Sequence, residues 1–537
     1  MILKEIKNKH YYRSFLDSIK VVDARLIFSL LLAVFAGAFQ SYRARGFMPK
    51  AYLPFIFLGM VALLFLVTYG LIGLINKTTF FDAKVKKLKK YKLFIIYMLI
   101  IMLAWLPYFI GFFPGIMSSD SVDQWRQAIG MSTLNNHHPV THTMIIRFST
   151  LISGDKSPWA YSLIQYLIMS ASMAFACVWL RLKGLKKYFV WLVLAFFALH
   201  PINALYSITM WKDVLFSVSV MLFTIAITES VLTNGKSIAK PSYFWLFLIS
   251  GICVANLRNN GTLVAILAVA LVCIFITGNR RRMAIIVGAV LASALIKSLL
   301  ITSFNIPESS IVESFAIPIQ QVSRVVVEDG EISSKDMALI EKVASASDIK
   351  ANYAENTVDP VKFSPKFNTK QLNDHKGEYF SLWLRLLINN PRTYVRAYLE
   401  ETRGYWDPLT YNWAIFYDID KNNVGLSQNT QMSVPRHYLA LFTEGTHVLL
   451  PLKFFWSGAV YNYVMLLMLA IMVFVRKNKQ WLYLLATAPF MLNWLTLMVA
   501  TPTANNTRYI YCSFLVFPII FALSLYDRKA VIKKGNK

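Results

Sequence analysis

The stretch "LFIIYMLIIMLAWLPYFIGF" (residues 93–112) runs for twenty residues without a charge. At about 1.5 Å of rise per residue, such a helix covers the ~30 Å hydrocarbon of a bilayer. Immediately after it comes "PGIMSSDSVDQWRQAIGMSTLNNHHPVTHT" (114–143), with two aspartates and three histidines. The two stretches together predict a membrane span that delivers a polar cluster to one face of the membrane.

Similar apolar windows lie near 24–41, 52–75, 93–112, 158–180, 188–206, 213–231, 243–257, 261–278, 283–303, 451–475, 481–500 and 508–526. Only helices and closed barrels satisfy their backbone groups in lipid. The expected fold class is therefore an all-α polytopic membrane protein with about 12 transmembrane helices. Composition agrees: 56% of the 537 residues are hydrophobic, 15% are charged, and the mean hydropathy is +0.48.

A formal net charge of +27 could signal nucleic acid. Its distribution excludes that class. Residues 304–445 hold 18 of the 28 acidic residues and 14 of the 55 basic ones, leaving 41 basic against 10 acidic elsewhere. The excess sits in short connections: "NKTTFFDAKVKKLKKYK" (76–92), "RLKGLKK" (181–187), "GNRRR" (278–282), "RKNK" (476–479) and "DRKAVIKKGNK" (527–537). Lys/Arg excess marks cytoplasmic loops. These loops follow even-numbered windows, which predicts both termini inside and a multi-pass cell-membrane location, with anionic lipid as a secondary partner. The basic first outward loop, "SYRARGFMPK", resists this scheme. Reading "LLAVFAGAFQ" (31–40) as an export signal cut near Ala36–Ala38 is the alternative, disfavoured by the basic residues that would follow the cut. Cys177, Cys253, Cys273 and Cys512 all lie in or beside apolar windows, so no disulfide framework is expected.

Four parts follow. Residues 1–91 supply two spans and a basic loop; 92–303 seven spans with short cytoplasmic loops; 304–446 a mainly helical outward domain; 447–537 three spans and a basic tail. In the outward domain, "SSKDMALIEKVASA" (333–346) and "PRTYVRAYLEETRGYW" (391–406) read as amphipathic helices, with Ser333 or Ser334 as a cap and Pro391 at a helix entry.

The outward connections carry the candidate chemistry. In the first, "SSDSVDQWRQAIG" predicts a helix lying on the membrane surface, with Val122, Trp125 and Ile129 on one face and Trp125 in the interface. Asp120 would start that helix, where the anion is stabilised. "HPINALYSITMWKD" (200–213) puts Lys212 and Asp213 at the mouth of span six, "NLRNNG" (256–261) places Arg258, and "TPTANNTRYIY" (501–511) sets Arg508 and Tyr509 at the start of the last span. Ionisable groups at such depths default to functional candidates; arginines suit phosphate. The bland alternatives are capping and interface anchoring. His138 and His142 have the i, i+4 spacing of helical metal ligands, but Pro139 lies between them. Hydrogen bonding to sugar or phosphate, or a purely structural role, are the other readings of His137, His138 and His142.

These residues, "PGIMSSDSVDQWRQA" with "NNHHPVTHT", "MWKD", "LRNNG" and "TRYIY", resemble the GT-C superfamily of multi-spanning glycosyltransferases that use polyprenyl-phosphate-linked sugars, and within it a Gram-positive bacterial branch. The resemblance covers most of the chain by architecture and about 50 residues by motif. It implies a seven-helix module, here spans three to nine, with a catalytic acid in the first long outer loop and often a second acid in the next. The chain departs from the pattern in its two extra leading spans and in having the single Asp120 followed by Ser121. The implied reaction moves one glycosyl unit from polyprenyl (undecaprenyl) phosphate to an extracytoplasmic acceptor hydroxyl on a cell-wall glycan or protein, with inversion. The resemblance assigns Asp120 as base and Asp213 as second acid. Lys212, Arg258 and Arg508 would meet the phosphate, and Asp123, Gln124, Asn136, His137, His138, His142, Asn259 and Tyr509 would line the substrate site. The superfamily has metal-dependent and metal-independent members, so a divalent cation (Mg or Mn) between Asp120 and Asp213 is left open. A transporter or flippase, a polysaccharide polymerase or ligase, and a non-catalytic scaffold are the rival classes.

Overall fold

A computed structural model describes residues 24–44, 49–77, 80–82, 89–410, 415–449, 452–472, 480–500 and 506–526. Among them the regular structure is helical, with isolated bridges but no strands. The first part contains α1 (Ala24–Ala44), α2 (Leu53–Lys77), α3 (Lys90–Gly111), α4 (Ser119–Ala128), α5 (Val140–Ser153), α6 (Trp159–Leu182), α7 (Lys187–Leu199), α8 (Pro201–Tyr206), α9 (Lys212–Thr233), α10 (Pro241–Leu257), α11 (Gly261–Phe275) and α12 (Arg280–Ser303). Then come α13 (Ala316–Val327), α14 (Ser334–Val343), α15 (Lys376–Asn389) and α16 (Pro391–Glu401), with α15 and α16 packed on α13. The chain closes with α17 (Ser433–Val448), α18 (Gly458–Ala470), α19 (Ala488–Ala500) and α20 (Thr507–Leu525).

Among the described residues, seven helical stretches are long and apolar enough to cross a membrane: 53–70, 90–111, 159–182, 212–233, 280–303, 482–500 and 507–525. Five shorter apolar helices fall in the remaining windows. One expected span divides. The window 188–206 breaks at His200, because Pro201 has no N–H to continue α7 and instead opens α8 at its first position. The His200 ring accepts from Ile202 N at 3.3 Å and so caps the new helix.

Burial orders the bundle. The apolar window of α9 is 94% buried while that of α2 is 6% buried. A helix that is apolar all round and buried all round belongs at the centre. So α9 is the axis, packed by α10, α20 and α6, and α2 is peripheral. Two ion pairs close one end of the bundle, Arg181–Asp82 at 2.6 Å and Lys183–Glu229 at 2.5 Å. At that end Gly235 and Gly278 meet backbone to backbone; a Cβ on Gly278 would lie 1.9 Å from Asn234 O.

The region 304–446 is more divided than expected. A separate core gathers Val312, Val322, Ile340, Leu372, Leu382, Leu386 and Tyr394. Ser333 caps α14 by accepting from Asp336 N, and Pro391 opens α16, both as the sequence suggests. Past residue 401 the chain leaves that core. Residues 415–429 cross the other end of the bundle as a strap, and α17 packs on α3.

Candidate functional site

Three irregular segments are clamped together at the strap end. Ile116 N donates to Ile208 O at 3.0 Å and Met210 N to Ile116 O at 2.9 Å; Met117 N donates to Asp418 O at 3.2 Å and Asp420 N to Met117 O at 2.8 Å. Ser121 Oγ reaches Met210 O and Trp211 Nε1 reaches Ser118 Oγ. These bonds fix the start of α4 against the start of α9, and so fix Asp120 against Lys212 and Asp213.

Around Asp213 the expected charges converge. Its carboxylate is 1% exposed, with Arg258 Nη1 at 3.2 Å, Arg508 Nε at 3.9 Å and Lys212 Nζ at 4.0 Å. Neither carboxylate oxygen receives a hydrogen bond from the chain. Arg508 also reaches outward, pairing through Nη1 with Asp120 Oδ2 at 2.8 Å, and Asp120 is one-third exposed. Tyr509 packs under both guanidiniums, 5.0 Å from Arg258 and 4.9 Å from Arg508, and its hydroxyl accepts from Arg508 Nη2 at 3.0 Å. Arg508 also lies over the Trp211 ring at 5.1 Å. Lys212 Nζ donates to His138 Nδ1 at 3.0 Å. Burial alone would push the Asp120 carboxyl up, but Arg508 and then Lys212 outweigh it and hold the group well below the usual carboxylate range. Burial and then the Lys212 charge push His138 down, keeping it neutral.

Two expectations fail. Gln124 and His142 do not line an open site: His142 is fully buried, with Nδ1 on Gln124 Oε1 at 3.0 Å and Nε2 on Tyr161 OH at 2.7 Å. Both ring nitrogens are occupied by the chain, and Gln124 further holds Thr143. They support the site by tying α4 to α5 and α6. Trp125 does not sit at a lipid interface either. It is fully buried and donates to Asp155 O at 3.0 Å, because protein covers that apolar face. Asp123 holds Gln127 one turn along its own helix. His137 is exposed beside His138, with ring centroids 4.6 Å apart. Asn259 is exposed and binds Asn136 O at 3.0 Å, while Asn136 Oδ1 is buried without a hydrogen-bond partner. Trp211, an aromatic beside the membrane-end lysine of "MWKD", belongs to the site as well. Phe416 of the strap stands on it at 5.5 Å.

The donor set does not fit a divalent cation. Among the described residues no group of three or more His, Cys, Asp and Glu side chains could hold one. The Arg508 guanidinium already lies between Asp120 and Asp213, where a bridging ion would sit.

Residues 129–537 match the family described as "Family of unknown function (DUF6020)". The chain belongs to this family. No curated protein and no solved structure matches it. The matched region contains His138, Lys212, Asp213, Arg258 and Arg508, whereas Asp120 precedes it. The cation cluster around Asp213 thus lies within the matched region.

His142 yields a pH prediction. Burial, then the Lys212 charge, lower it to about 3, whereas a histidine in the unfolded chain titrates near 6.5. Below pH ~6.5 the unfolded chain therefore binds the extra proton, and stability falls as pH falls, by up to about 1.4 kcal/mol per unit. Melting between pH 7 and 5 should be steeper in the native protein than in His142→Gln. Parallel curves would contradict this.

Proposed function

We propose that the protein is a polytopic membrane glycosyltransferase, transferring a single glycosyl unit from a polyprenyl phosphate sugar to an acceptor hydroxyl outside the cell. In this reading the seven long and five shorter apolar helices form twelve spans, the basic loops face the cytoplasm with both termini, and the strap end faces outward. The observation that carries it is the convergence of Arg258, Arg508 and Lys212 on Asp213 at the ends of membrane-spanning helices, beside the part-exposed Asp120. Three formal cations face two carboxylates, with His138 held neutral, so one positive charge is left for an anionic ligand. Loose pairing at 3.2–4.0 Å leaves cation donors able to turn to a phosphate.

The chemistry follows from the pairing. A donor phosphate that takes Arg508 and Lys212 removes the cations that depress Asp120, so its basicity rises only when the donor is bound. Asp120 then takes the acceptor proton as the acceptor oxygen bonds to the anomeric carbon. The bond from that carbon to the phosphate oxygen breaks, its electron pair stays on the phosphate, and Arg258, Arg508 and Lys212 stabilise the added charge. A single displacement inverts the anomeric centre.

Ligand-induced stabilisation tests the phosphate site. Undecaprenyl phosphate should raise the melting temperature of the reconstituted protein, by the equivalent of about 2.7 kcal/mol at a hundredfold excess over Kd. Undecaprenol should not, and Arg258→Ala should remove the effect. Equal shifts with phosphate and alcohol would contradict the reading.

A further inference from the structure

The helix α17, "SVPRHYLALFTEGTHV" (433–448), reads as part of a polar region, with Arg436, His437, Glu444 and His447. Its surroundings say otherwise. The deeper polar groups have protein partners: Thr443 Oγ1 meets Tyr108 OH at 3.0 Å, the part-exposed Glu444 accepts from Tyr417 OH at 2.8 Å, and His447 is buried against Trp456. The other side bares Tyr438, Leu441, Phe442 and Val448, each 54–67% exposed. A face this apolar on an otherwise satisfied helix needs a cover.

Its depth identifies the cover. The early turns of α17 lie on Gly111 at the end of α3, so closely that a Cβ there would be 2.8 Å from Leu439. The last turn reaches Trp456 through His447 at 5.1 Å. Trp456 touches His200 at 5.1 Å, and His200 touches Phe514 at 5.8 Å. Phe514 is six residues into α20 from Arg508, about 9 Å below the charged site. The far end of α17 is therefore level with the interior of a membrane-spanning helix. Arg436, His437 and Tyr438 stand at the shallow end, the residue types that favour headgroups.

We propose that α17 is inserted obliquely into the membrane leaflet on the site side, its Tyr438–Leu441–Phe442–Val448 face covered by lipid acyl chains. The strap over the charged site would then be tethered to lipid through the Tyr417–Glu444 bond. This stands on the membrane-spanning helices alone and holds whether or not the site transfers sugars.

Spin labels test it in the full-length protein in nanodiscs, with the four cysteines replaced and single cysteines placed by L441C, F442C and K421C. Labels at 441 and 442 should collide more with oxygen than with a water-soluble nickel chelate; the exposed strap position 421 should show the reverse. Nickel access at 441 and 442 would overturn the proposal, and so would shielding from both reagents, which would mean cover by a second copy of the chain. The native protein provides the check that needs no substitution. A phospholipid with a diazirine in its acyl chain should label peptides from 433–449 along with the exposed face of α3. Labelling of α3 alone would overturn the proposal.

Discussion

Asp213→Ala is expected to cost the folded protein about 3–5 kcal/mol, the range for removing one partner from a buried ionic cluster. The carboxylate is 1% exposed and neighbours three cations; without it Arg258 has no carboxylate within ion-pair distance, and Lys212 and Arg508 have only Asp120 nearby. The loss also removes a negative charge from the first turn of α9, where the helix dipole favours one. Unfolding of the reconstituted protein measures the effect. The double variant Asp213→Leu/Arg258→Met should recover part of the loss, since one surplus cation leaves with the acid. A single variant as stable as the native protein would mean that Asp213 does not organise the cluster.

Asp120→Asn should behave in the opposite way. The side chain is one-third exposed, its one ion pair is with Arg508, and asparagine preserves its shape. Arg508 keeps Asp213 at 3.9 Å and the asparagine fills the same volume, so the melting curve should move less than in Asp213→Ala. Transfer should fall by about 10²–10⁴, the usual contribution of a general base. Wild-type turnover in Asp120→Asn would remove the base from the mechanism and leave the cluster as a binding site.

The membrane character was legible because windows such as 93–112 carry no charge at all, and the candidate site was legible because its ionisable residues sit where such windows end. Asp120 and Arg508 are far apart along the chain, yet each marks the end of an apolar segment, and that shared depth brings them together. What escaped is what depends on which surface covers a side chain. The stripe of Val122, Trp125 and Ile129 reads the same whether lipid or protein lies against it; here protein does. His142 advertises chemistry, but its partners Gln124 and Tyr161 are visible only after α4, α5 and α6 have packed. The break at Pro201 was written in the sequence and was lost to averaging over an apolar window. For α17 the reverse holds: its polar residues conceal an exposed apolar side because their partners lie in the protein.

The most direct test places the purified protein in vesicles with a polyprenyl phosphate sugar labelled in the sugar, together with an extract of cell-wall acceptors. Label should move into the acceptor while polyprenyl phosphate is released in equal amount, and Arg258→Ala should stop both. Label that crosses the bilayer still attached to its lipid, with the glycosidic bond intact, would contradict glycosyl transfer.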